Sequence, residues 1–116
     1  MIRALSAVAA IATVLALALG PAAQGRHQAT KTVSVGNNFF SPKRLSVRSG
    51  TTVRWRWRSS ANTHNVKLSK GPRGTRGFKS KTRDAPYSYT RKLVRRGGYT
   101  LICTLHPGMT QKITVR

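Results

Sequence analysis

The chain has 116 residues and carries 22 lysines and arginines against a single acid, Asp84, for a formal net charge of +21 at pH 7. One carboxylate excludes paired-acid chemistry and carboxylate-rich calcium or magnesium sites, and it leaves little scope for a Ser-His-Asp triad. A charge this one-sided draws polyanions, whether acidic proteins, anionic lipid, cell-wall polymers or nucleic acid.

The chain opens with Met1-Ile2-Arg3, a run of sixteen predominantly apolar residues from Ala4 to Leu19, and the small-residue stretch "GPAAQG". Ala23 and Gly25 have the small-x-small spacing of a signal-peptidase site, and the apolar run is shorter than the roughly 17–25 residues of a membrane span. Residues 1–25 are therefore expected to be a secretory signal peptide. The rest, 26–116, would then be one small domain in the periplasm, outside the cell or at its surface. A domain of this size has a marginal core and commonly needs disulfides or a metal. The only cysteine, Cys103, removes the disulfide option.

Beyond this segment the pattern is strand after strand. "TKTVSVG" places Val33 and Val35 on one face, and "RLSVRSG" does the same with Leu45 and Val47 before turning at Ser49-Gly50. In "TVRWRWR", Val53, Trp55 and Trp57 alternate with Arg54, Arg56 and Arg58, which predicts a half-buried strand with a cationic outer face. "HNVKLS" predicts a short strand beginning at His64. The stretch Lys70–Pro86, "KGPRGTRGFKSKTRDAP", holds three glycines and two prolines and is expected to be an irregular, mobile loop. "YSYTRKLV", "YTLIC" and "KITV" complete the series. Seven to eight short strands with glycine-rich turns imply an all-β fold, an antiparallel Greek-key β-sandwich.

The chemistry concentrates in "CTLHPGM", where Cys103, His106 and Met109 stand in the spacing C-x-x-H-x-x-M between two predicted strands. A tight loop, bent by Pro107 and Gly108, can bring a thiolate, an imidazole and a thioether around one point. Thiolate and thioether are soft ligands that favour copper, and imidazole suits both of its oxidation states. Two histidines and a cysteine with a weak methionine make a blue-copper electron-transfer site, so one more histidine is needed. His64 in "NTHNV", 39 residues before Cys103, is the candidate. His27 belongs to no pattern and is left out.

These residues resemble the cupredoxins, and the C-x-x-H-x-x-M spacing matches the amicyanin branch, with plastocyanin a near relative. "HNV" at His64–Val66, "FSPKRLSVRSGTTVRW" at Phe40–Trp55 and "GGYTLICTLHPGM" carry the likeness. The resemblance implies an eight-stranded sandwich with one type 1 copper ion near one end. His64, Cys103 and His106 would be its strong ligands and Met109 the axial one. It also implies that Asn65 bonds across to Thr104. Two features depart from it: Gln111 stands where many relatives have glycine, and the basic loop Lys70–Arg83 has no counterpart.

The expected function is that of an exported one-electron carrier, a monomer and not an enzyme. Its partner would be an acidic redox protein, docking weakly at an apolar collar of Leu105, Pro107 and Met109 around His106. The charge could also hold the domain at an anionic cell surface. Two alternatives use the same sequence differently. One is a copper storage or delivery module. The other is a polyanion-binding protein driven by "KGPRGTRGFKSKTR", which has Phe78 as its one stacking residue and no specific nucleic-acid motif.

Overall fold

The computed structural model describes residues 29–59 and 61–116, so the expected signal peptide and His27 lie outside the described residues. The described residues form eight strands and no α-helix: β1 (Thr30–Gly36), β2 (Phe39–Ser41), β3 (Arg44–Val47), β4 (Thr51–Trp57), β5 (Lys67–Lys70), β6 (Ser88–Leu93), β7 (Gly97–Ile102) and β8 (Thr110–Val115). They build two four-stranded sheets, in the orders β2-β1-β4-β6 and β3-β8-β7-β5.

The alternation read from the sequence sets which face goes inward. Val33, Val35, Val53, Trp55 and Trp57 of the first sheet are buried, as are Val47, Tyr99, Leu101, Ile113 and Val115 of the second. Arg54 and Arg56 face solvent from β4, and Arg58 does so just past its end. Each fully buried large side chain contributes about 1.5–3 kcal/mol by leaving water. The two indoles also satisfy their N–H groups. Trp55 Nε1 donates to Gln111 Oε1 at 2.9 Å, and Trp57 Nε1 donates to the Arg83 carbonyl at 2.9 Å.

The expectation of purely antiparallel pairing is corrected in each sheet. β1 pairs with β4 in parallel, from Thr30↔Thr52 to Val35↔Trp57. β3 pairs with β8 in parallel, from Arg44↔Lys112 to Val47↔Val115. The cause is the crossing between sheets. After the β1–β2 hairpin the chain crosses to the second sheet as β3, then returns as β4 running in the direction of β1.

The segment between β5 and β6 is also corrected. It is irregular, as expected, but it is a strap tied to the sandwich rather than a loose loop. Leu68 N donates to Phe78 O at 2.9 Å, Ser80 N donates to Val66 O at 2.8 Å, and Ser80 Oγ accepts from Val66 N at 2.8 Å. Phe78 packs on the core with its ring 6.2 Å from that of Trp55. The strap thus covers the open edge between β5 and β6, where core side chains would otherwise meet water.

Candidate metal centre

β7 ends at Ile102, and Cys103 is the first residue of the loop that leads into β8. The loop is closed on itself: Cys103 N donates to the Met109 carbonyl at 3.1 Å, and Met109 N donates to the His106 carbonyl at 3.1 Å. Gly108, at φ 84°, takes the left-handed conformation that turns the chain back after Pro107. Cys103 and Met109 are both buried, His106 is half-buried, and Leu105 beside it is 48% exposed.

His64 arrives from the other side. The predicted strand starting at His64 is displaced, since β5 begins only at Lys67. His64 instead pairs its backbone with Arg83 of the strap, each N–H donating to the other's carbonyl at 3.0 Å. Its side chain is fully buried and points at the loop. The His64 and His106 Nδ1 atoms are 3.1 Å apart, and Cys103 Sγ lies 3.5 Å from His106 Nδ1 and 4.0 Å from His64 Nδ1.

The fit of a metal ion follows from these separations. Imidazole and thiolate donors bind a first-row metal at about 2.0–2.3 Å, which places donors around one ion about 3.5–4 Å apart. The donor atoms of His64, Cys103 and His106 all lie within 4.8 Å of one another, so a single ion satisfies the three. His64 Nε2, on the back of the ring, is buried without a partner, so Nδ1 is the nitrogen with neighbours. Burial holds the His64 imidazole below its ordinary value, nearby His106 pushes it the same way, and Asp84 opposes them. A neutral imidazole keeps the lone pair that a metal requires.

Asn65 joins the two halves of the site. Its Oδ1 accepts from Thr104 N at 2.9 Å, and its Nδ2 donates to Thr104 Oγ1 at 2.8 Å, as the resemblance implied. The same Nδ2 also donates to Thr82 Oγ1 at 3.1 Å. That third contact, and the backbone pairing of Arg83 with His64, were not foreseen. The only signal was the Ser/Thr content of a loop whose glycines pointed to disorder. Gln111 is the other unforeseen residue. Fully buried, it accepts from Trp55 and donates to Pro42 O at 2.7 Å, bracing β8 two residues after Met109.

Comparison with known proteins places this geometry in a family. The sequence profile of the copper-binding proteins of the plastocyanin/azurin family matches residues 27–116, and the chain belongs to that family. Amicyanin-alpha of Methylorubrum extorquens is 29% identical over 112 residues, covering 95% of this chain and 93% of its own. The structure of a reduced Cu(I) amicyanin variant superposes with a TM-score of 0.66 at 29% identity, covering 81% of this chain and 88% of that one. A copper-containing nitrite reductase from Thermus scotoductus also superposes, with a TM-score of 0.65 at 26% identity. That match covers 73% of this chain but only 22% of the enzyme. The protein is thus a cupredoxin, and copper is its metal.

Proposed function

We propose that this protein is an exported one-electron carrier in which His64, Cys103 and His106 bind one copper ion, with Met109 as a weak fourth ligand. The observation that carries the reading is the cluster of two imidazole Nδ1 atoms and one thiol, gathered within 4.8 Å at the end of a sandwich. Copper bound there would supply a one-electron couple between Cu(I) and Cu(II).

The protein's own contribution is to hold the donors still. The Asn65–Thr104 bonds fix the two ligand-bearing segments relative to each other, so the donors need little rearrangement between oxidation states. Burial of His64 and Cys103 excludes water from one side of the site. Half-buried His106, with exposed Leu105 and Pro107 beside it, is the route to a partner, whereas Met109, expected in the same collar, is buried. Electron transfer without bond making in a substrate is not enzymatic turnover. A net charge of +21 selects an acidic redox protein as partner.

The test is Cu(II) addition to the purified domain, 26–116. An intense thiolate-to-copper band in the orange-red region is expected, and Cys103→Ser abolishes it. A colourless protein would sink the reading. A reversible potential with slow copper loss marks a carrier, whereas Cu(I) readily passed to a chelator marks delivery.

A further inference from the structure

The end of the sandwich away from Cys103 carries a feature unrelated to copper. β7 spans six residues, Gly97–Ile102, so at roughly 3.3 Å per residue its start lies about 20 Å from the metal loop. At that start, the turn joining β6 to β7 is locked to the turn joining β3 to β4. Gly50 N donates to Leu93 O at 2.8 Å, and Ser49 Oγ donates to the Val94 carbonyl. The strap reaches the same end. A Cβ placed on Gly97 would lie 2.9 Å from the Pro72 ring, and one on Gly74 would lie 3.1 Å from the Arg95 guanidinium.

Between strap and β6 opens a cleft of about 270 Å³. Arg76, Arg91, Lys92 and Arg95 line it, no carboxylate does, and Phe78 and Tyr99 contribute apolar surface. Arg91 is held in place, its guanidinium 5.6 Å from the Phe78 ring centre and 5.2 Å from that of Tyr89, with Nε donating to the Tyr89 hydroxyl at 2.8 Å. At the rim Val94 is 57% exposed, the most exposed large apolar side chain among the described residues. Exposed Arg95 and Arg96 follow it in the turn.

We propose that this cleft receives the headgroup of an acidic phospholipid and docks this end of the molecule on an anionic bilayer. Cations clustered without an acid attract the phosphate, and they do so over a few ångströms rather than by net charge alone. Exposed Val94 and the aromatic lining suit the glycerol and acyl boundary, which a uniformly hydrophilic polyanion does not offer. Docked this way, the protein presents His106 to solvent on the side away from the bilayer. None of the residues involved touches the metal centre, so the inference stands apart from the electron-carrier reading.

The experiment is co-sedimentation of copper-free protein with vesicles of phosphatidylcholine, with and without about one third phosphatidylglycerol. Binding is expected only to the anionic vesicles. The triple variant Arg76→Gln/Lys92→Gln/Arg95→Gln should weaken it at least about tenfold. The control Arg54→Gln/Arg56→Gln/Arg58→Gln removes the same charge from the outer face around β4 and should weaken it about twofold or less. Val94→Asp should also lower binding while leaving the thermal midpoint in place. Equal losses from the two triple variants would overturn the proposal, because diffuse charge would then suffice. Failure to bind anionic vesicles, or preference for soluble polyphosphate over them, would do the same.

Discussion

Asn65 is one side chain holding three segments, and its removal should be felt twice. Asn65→Ala leaves the Thr104 N–H without its acceptor and frees the metal loop from the strap. A destabilisation of about 1–3 kcal/mol is expected in denaturant unfolding of the copper-free protein. Copper affinity should fall about 10–100-fold by competition with a chelator. Gln111 makes a parallel case in the core. Gln111→Leu fills the space but strands the Trp55 N–H and the Pro42 carbonyl, and should also cost about 1–3 kcal/mol. A variant as stable as the parent would show that water satisfies both groups. The gathering of His64, Cys103 and His106 was legible in the sequence from a short loop spacing and a three-residue motif, and the Asn65–Thr104 tie from the family resemblance. The role of Gln111 was not. Its partners stand 56 and 69 residues away, and contact across two sheets leaves no mark on either local stretch.

Among the elements, the strands were the most legible. A period of two in "TVRWRWR" states which side chains face the core whatever the neighbouring strand is. It does not state which neighbour, or in which direction, and so the parallel pairs β1–β4 and β3–β8 could not be read from it. The strap was the least legible element. Its glycines and prolines exclude a regular strand, but composition is silent on bonds made by Ser80, Thr82 and Arg83. Ser80→Ala removes the acceptor for the buried Val66 N–H. It should lower stability by about 1–3 kcal/mol and speed amide exchange at Val66 and His64 more than at Leu101. Uniform change at all three positions would mean that the strap does not protect the ligand segment locally.

For the whole molecule, charge was legible as a quantity but not as a distribution. Asp84, the only acid in the sequence, sits in the strap beside the metal end, where its carboxylate accepts from the Thr63 hydroxyl. Arg54, Arg56 and Arg58 stand on the outer face around β4, and Arg76, Arg91, Lys92 and Arg95 line the cleft at the opposite end. Because the net charge is +21, association with the acidic redox partner proposed above should slow steeply with salt. Stopped-flow rates at about 0.01 M and 0.15 M ionic strength, where the screening length shrinks from roughly 30 Å to 8 Å, measure this. Rates independent of salt would leave the basic surface without a part in docking. The topology has a consequence in time as well as in space. β8 is an inner strand of its sheet, between β3 and β7, although it comes last of the eight in the sequence. The loop bearing Cys103, His106 and Met109 leads directly into it. While β8 is still being synthesised or is held extended, β3 has no partner and the second sheet cannot close around Leu101. The donors around Cys103 are therefore fixed only when the last of the eight strands is seated, so ordering of the metal loop and closure of the second sheet should occur as one step in refolding.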